Sequence, residues 1–405
     1  KLNTLQTLGL LSAALLATVE SGKAQGALTP SGAPAPSLRT LLQVEPRTPV
    51  DSTHTPGDNS SIYKITTPGS YYLTGNVTYS PRIGDSSQQS CIEIQAHDVT
   101  LDLNGFRVVN GAGTNGVNGI IVNGGYKSVT IKNGTVTGWN VDGINAGSIV
   151  SGNFENLTVD GNGEDGIVVG NSSSIRNCRA VNNKKRGIVA VNNCVISDCE
   201  VRQNPEVGIS ASSYCVISRC TVSDATSGDG IFAANYCTVE SCKVNNTFEF
   251  GIRTTQRPNI SNCSVSDSGH VDVNGVSGGI LLHYAGSVRN CTITGNRVGI
   301  EVLGSSDGGG VLIENNQIDS NTGGGIDLLS GANRIDDNTF CCNGGPAIRS
   351  HERGNFIIRN HAVGNNGGAA DYVTGPNDTV GPIVVGKGVI SGIANGSSPW
   401  ANFQQ

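Results

Sequence analysis

From residue 120 onward, apolar side chains come in pairs two positions apart, and the pairs return at a nearly fixed interval. In the stretch beginning at Ile188 the pairs are Ile188 and Ala190, Cys194 and Ile196, then Cys199 and Val201. A spacing of two puts both members on one side of a strand, whereas a buried helical stripe would step by three and four. Polar corners separate the pairs, and the turn "RQNPEVG" closes the unit before a Gly-Ile step starts the next. That step marks Ile120, Ile144, Ile167, Ile188, Ile209, Ile231, Ile252, Ile280, Ile300 and Ile326, with "PAI" at Ile348 as a last variant. Most intervals run from 20 to 24 residues, with longer ones into Ile280 and Ile326. Three short strands per period predict an all-β chain wound as a right-handed parallel β-helix, a solenoid of roughly a dozen coils capped at both ends. Leucine-rich repeats share the period but need a leucine framework, where this chain uses Ile, Val and Cys.

Stacking the periods places Cys178, Cys199, Cys220, Cys242, Cys263 and Cys291 in one register, with Leu157 before them and Asn316 and Asn338 after. Cys194, Cys215 and Cys237 form a second register. Both are predicted to point inward, where cysteine serves as a small apolar filler. A ladder of thiols does not converge tetrahedrally on zinc, and no histidine accompanies it. Strands about 4.8 Å apart hold in-register Cβ atoms wider than the roughly 3.8 Å that a disulfide prefers. Pairs of the Cys194–Cys199 type and the adjacent Cys341 and Cys342 are the remaining disulfide candidates. A second ladder, of Asn133, Asn156, Asn177, Asn262, Asn290, Asn315 and Asn360, is expected to bond backbone groups at tight corners.

Composition agrees with strands and turns: 405 residues include 56 Gly, with 5% aromatic and 14% charged residues. A net charge of -6 and the lack of a polybasic run give no case for nucleic acid or a membrane surface. Residues 1–24 combine a basic start with an apolar run from Leu8 to Val19 and small residues after it. This reads as a secretory signal peptide, too short to span a bilayer, so a secreted or cell-surface protein is expected. Residues 25–60 are proline-rich and predict an extended arm. Residues 61–110 should form the N-terminal cap and first coil, 111–365 the repeats, and 366–405 a tail that caps the other end. Self-association through the arm or the ends is a further expectation.

The segments "ITTPGSYYLTGNV" and "VTLDLNGF", with the repeated "DGI" and "N-C-x-V" units, resemble secreted bacterial right-handed β-helix repeat proteins of the pectate-lyase-like superfamily. The resemblance covers roughly residues 60–400 and implies a fold that hosts polysaccharide lyases, glycoside hydrolases and uronate epimerases as well as proteins without catalysis. The catalytic signatures of polygalacturonases, pectate lyases and alginate epimerases are not found; "SGH" at 268–270 is an isolated partial match.

Chemistry is therefore sought in the charged row that follows the Gly-Ile step. Residues one and three places after each Ile should face outward, giving Arg253, then Leu281 and His283, Glu301, Asp327, and finally Arg349 and His351. Glu301 and Asp327, with His283, are the candidate catalytic set, since paired carboxylates one coil apart suit glycoside cleavage. Arg253, Arg349 and His351 are candidate binders of an acidic polysaccharide. The other reading of the row is a surface ladder of alternating charge. Tyr214 and Tyr236, with Arg257 next in register, offer rings for sugar stacking or for each other. Asp160, Asn162 and Glu164 alternate as in a calcium loop, the only cofactor candidate. Two functions follow: a secreted protein that binds, with or without degrading, an extracellular acidic polysaccharide, or a non-catalytic structural or adhesive protein of a surface or matrix.

Overall fold

A computed structural model describes residues 46–79, 89–111, 117–270, 277–304, 310–368, 370–386 and 394–405. The signal-peptide segment and the first part of the arm lie outside them. The unit from Arg47 to Gln405 is a parallel β-solenoid. Its first face stacks the Gly-Ile strands, one per coil, as a 14-stranded parallel sheet among the described residues. That is a little more than the dozen coils expected, because residues 61–110 hold two coils and the tail adds another. The second face contains Val195–Ser197 and its equivalents, the third Glu200–Arg202 and its equivalents. Thr130–Thr137 and Asn153–Asp160 run through the corner between these two faces, which join as a single 28-stranded sheet.

Each coil turns its corners with residues in the left-handed region. At the corner between the second and third faces stand Asn133, Asn156, Asn177, Asp198, Arg219, Ser241, Asn262, Asn290 and Asn315, all with φ between 50° and 59°. Asparagine tolerates this conformation best of the residues with a Cβ. Here neighbouring Asn side chains also bond one another, Asn156 to Asn133 at 3.1 Å and Asn177 to Asn156 at 2.7 Å. Asn360 does not belong to this outer ladder. It lies one place further along, inside, in line with Asn316, Asn338 and Asn402.

The inner position after that corner explains the cysteines. Every free cysteine is buried. The thiols fill small spaces, as expected, but they also accept hydrogen bonds: the Cys263 amide donates to Cys291 Sγ at 3.4 Å. One coil later Asn316 Oδ1 takes the same role, accepting from the Cys291 amide at 2.9 Å, and Asn338, Asn360 and Asn402 continue it. An orphaned amide here would cost about 1–3 kcal/mol, and in these coils a sulfur or an amide oxygen meets it. Burial pushes the Cys91 thiol well above its usual pKa. Contacts with Cys178 and Cys220, together with burial, likewise keep Cys199 protonated. Cys341 and Cys342, on the outer side of the third face, form a disulfide between neighbours.

The glycine of the Gly-Ile step is set by axial packing. A Cβ on Gly230 would lie 2.4 Å from Val244 Cγ1 and 2.7 Å from the Gly251 carbonyl of the next coil. Real Cβ atoms do not approach so closely, so Gly230 admits no side chain; Cys91 and Ala347 take the position only in coils near the two ends.

Two boundaries differ from expectation. Thr48–Pro49 pairs with Tyr71–Tyr72, Val50 is buried, and Arg47 stacks over Tyr72, so residues 47–60 of the expected arm pack on the first coil. They cover a strand edge that would otherwise be open, and Pro49 needs no donor there. In the tail, Tyr372–Val373, Thr379–Val380 and Asn402–Gln404 stay in register with all three faces. The tail therefore extends the helix before it ends.

Two outcomes check this packing. Gly230→Ala should lower the unfolding free energy by about 1–3 kcal/mol through overpacking. Gly75→Ala, with nothing within 4 Å of its Cβ, should cost far less; equal costs would contradict the axial-contact account. A maleimide reagent should label none of the ten buried cysteines before unfolding, and after mild reduction only Cys341 and Cys342. Native labelling of Cys199 or Cys220 would show that the thiols do not point inward.

Candidate functional site

The outward row on the first face is in register as expected. Arg253 neighbours Leu281, Leu281 neighbours Glu301, Glu301 neighbours Asp327, and Asp327 neighbours Arg349. Parallel strands fix adjacent members at about 4.8 Å along the axis. Exposure was not uniform along it, contrary to the simple alternation. Leu281 and Glu301 are 2% and 5% exposed, while Arg349 and His351 are exposed.

Glu301, Asp327 and Arg349 line one cleft of about 340 Å³ together with Arg297. The cleft exists because the turns before Ile326 and Ile348 carry Gly323, Gly324, Gly344 and Gly345, which raise no wall. Glu301 is thus a buried side chain at the cleft rather than a surface one. Asp327 Oδ1 is 2.8 Å from His351 Nε2. Of the residues singled out, this region brings together Glu301, Asp327, Arg349 and His351. Arg297 was not anticipated, because it precedes the Gly-Ile step instead of following it; the signal was an Arg in a turn facing two Gly-rich turns.

His283 and Arg253 stand elsewhere. His283 is half-buried, and burial together with the Arg253 charge lowers its pKa, so it is neutral near pH 7. Arg253 lies in a second cleft of about 260 Å³, lined by Glu206, Asp229, Phe232 and Glu249. Its guanidinium sits 5.3 Å from the Phe232 ring centre, and Nη1 is 3.2 Å from Glu249 Oε2 and 3.4 Å from Asp229 Oδ2. Asp229 is 3% exposed, and burial raises its pKa to about 7 despite Arg253.

Asp229 belongs to a corner type that the sequence reading passed over as "DGI". Asp142, Asp165 and Asp229 each stand directly before the Gly-Ile step, and each Oδ1 accepts the equivalent amide of the next coil, at 3.0, 3.1 and 3.1 Å. Their second oxygens differ. Asn145 donates to Asp142 Oδ2 at 2.7 Å, and Arg186 to Asp165 Oδ2 at 2.7 Å. Asp229 Oδ2 has only the longer Arg253 contact.

The row is also charged at its start, which the reading of later coils did not show. Glu93 is buried; burial would raise its pKa, but Ser60, Asn123, Gln95 and Lys64 hydrogen-bond it and hold it at about 2. That network closes the first coils and leaves no oxygen for a ligand.

Tyr214 and Tyr236 occupy successive left-handed corners, φ 59° and 57°, and Arg257 takes the same corner next. The two rings stack on each other, 5.0 Å apart and 6° from parallel, and remain 57% and 43% exposed. The calcium candidates do not converge. Asn162 is turned into the core, where it bonds Asn183 and the Trp139 amide, while Asp160 accepts from Asn182 and Glu164 pairs with Lys185. The loop's alternation reflects one buried rung between two surface positions. Lys185 and Arg186 neutralise Glu164 and Asp165 between coils.

No curated protein matches the chain in sequence. Among solved structures, the tailspike protein of Escherichia coli bacteriophage HK620, in complex with a pentasaccharide, is 12% identical with a TM-score of 0.48, covering 85% of this chain and 71% of its own. The Azotobacter vinelandii mannuronan C-5 epimerase AlgE6 A-module is 13% identical at a TM-score of 0.45, covering 80% and 87%. The catalytic domain of a GH87 α-1,3-glucanase, in complex with tetrasaccharides, is 13% identical at a TM-score of 0.46; the match takes in 72% of this chain and 59% of that one. Likeness at this level concerns the fold alone. Residues 70–216 and 206–309 match the family described as "Right handed beta helix region", and with more than half of the chain covered, the protein belongs to the right-handed β-helix family.

Proposed function

We propose that this protein binds an acidic polysaccharide through its first face, at the cleft between Arg297 and Arg349. The observation that carries the reading is the arrangement of that cleft. Two arginines flank two carboxylates in adjacent coils, above turns stripped of side chains by four glycines. Guanidinium groups bind carboxylate or sulfate with paired hydrogen bonds. Glu301 and Asp327 accept hydrogen bonds from sugar hydroxyls, and the His351 contact holds Asp327 in place. The stacked Tyr214 and Tyr236 supply an apolar platform at a corner further toward the N-terminus, which suits a ligand longer than one cleft.

Catalysis by Glu301 and Asp327 does not form part of this reading. In this reading the pair orients a ligand, and His283, the third member of the expected set, stands beside Arg253 instead.

Isothermal titration against alginate, polygalacturonate and a sulfated glycan, with dextran as a neutral control, tests the reading. Binding to an acidic chain should weaken at least about tenfold in Arg349→Ala, equivalent to about 1.4 kcal/mol, and weaken further as salt rises. The exposed Arg219, on the other side of the coil, serves as a charge control and should leave the affinity unchanged when replaced by Ala. Equal losses at both positions, or no binding to any acidic chain, would favour the structural or adhesive role instead.

A further inference from the structure

We infer that the cleft around Asp229 is a glycoside-cleaving site, in which Asp229 donates the proton and Glu249 is the partner carboxylate. The inference rests on the carbohydrate reading above but concerns a different cleft, toward the N-terminal side of the first one on the same face. Three observations carry it.

Asp229 is a buried carboxyl lining an open cleft, between Phe232 and the Phe250 backbone. Its Oδ1 is fixed by the Phe250 amide, so the group cannot rotate away. Its Oδ2 accepts no hydrogen bond among the described residues, whereas the equivalent oxygens of Asp142 and Asp165 are each tied at 2.7 Å. Three aspartates share one structural duty, and only in this one is the second oxygen met by a 3.4 Å ion-pair contact instead of a 2.7 Å hydrogen bond. A carboxyl shielded from water, with another carboxylate beside it, is how a fold keeps an acid protonated near neutral pH, and its raised pKa agrees.

Glu249 is the second carboxylate. Asp229 Oδ2 and Glu249 Oε2 contact the same Arg253 nitrogen, at 3.4 and 3.2 Å, which brings the two carboxyl groups of adjacent coils side by side. Arg253 is itself held over Phe232. Paired carboxyl groups, one protonated and one ionised, are the requirement for cleaving an acetal.

The charge of the cleft selects the reaction. Glu206, Asp229 and Glu249 face a single cation, Arg253, whose charge is already balanced. It has none to spare for a uronate, as elimination next to a carboxylate would need. The site fits a neutral sugar unit and hydrolysis. Asp229 gives its proton to the glycosidic oxygen, which leaves with the electron pair of the broken C1–O bond. Glu249 bonds to C1 as that bond breaks; water then displaces Glu249 from C1 and gives a proton back to Asp229, so both carboxyl groups end as they began. The sum is one water consumed for one glycosidic bond.

The test is product mass spectrometry in ¹⁸O-water with a panel of neutral and acidic polysaccharides. The wild-type chain and the variants D229N, E249Q and D142N are compared, and each is checked for folding by circular dichroism. D229N keeps the oxygen that caps the next coil, and D142N alters the same corner type away from the cleft. Expected are oligosaccharides with one ¹⁸O at each new reducing end, a loss of about 10² or more in D229N and E249Q, and full activity in D142N. Activity should fall above about pH 7, where Asp229 gives up its proton with Glu206, Glu249 and Arg253 facing it. Products that persist in D229N, or an equal loss in D142N, would overturn the assignment. Binding of an acidic chain with no product from any substrate would overturn it while leaving the binding reading intact. Absence of both would remove both.

Discussion

The structure depends on one constraint, the exchange of backbone hydrogen bonds between coils stacked about 4.8 Å apart. Each coil must offer its neighbour the same groups at the same height, so every position is repeated along the axis. The Gly of the Gly-Ile step has no room for a Cβ because Val244-type side chains and the next carbonyl meet it there. The inner corner position takes Cys or Asn because the preceding coil presents an amide that needs an acceptor. The outer corner takes Asn, Asp or another residue able to sit at positive φ. The repeat in the sequence is the chemical record of that single spacing.

The same spacing builds whatever chemistry the surface has. A side chain placed once in a coil acquires neighbours one rung away, and charges therefore meet in rows. Most rows close on themselves. Arg186 is satisfied by Asp165, and Arg334 and Arg359 both hold the buried Asp336. The two clefts of the first face differ from these rows in what surrounds them. Near Asp327, glycines remove the walls and leave the arginines with reach. Near Asp229, an aspartate that must be buried to cap the next coil lacks the donor that its equivalents have.

Periodicity made the fold legible, down to the registers of Cys199 and Cys194 and the outward row from Arg253 to Arg349. An alternation of two states which side of a strand a residue takes, and that was enough to align the row. It says nothing of what covers the row from outside, so the burial of Glu301 and Leu281 was not visible. Nor does it show side-chain pairing across coils: Asp229 looks like Asp142 and Asp165 in the sequence, and only the partner of Oδ2 separates them. The alternation of Asp160, Asn162 and Glu164 hid a related difference. Asn162 sits at a surface-like spacing, yet its amide completes a buried ladder with Asn183 and Asn204. Prolines misled at the N-terminus, where Pro49 lies on a strand edge that needs no donor.

The most direct test of the account is a crystal structure of the protein bound to an acidic oligosaccharide. Sugar density is predicted along the first face, with an acid group between Arg297 and Arg349 and hydroxyls on Glu301 and Asp327. A ligand bound on the second or third face, or one whose acid groups avoid both arginines, would contradict it.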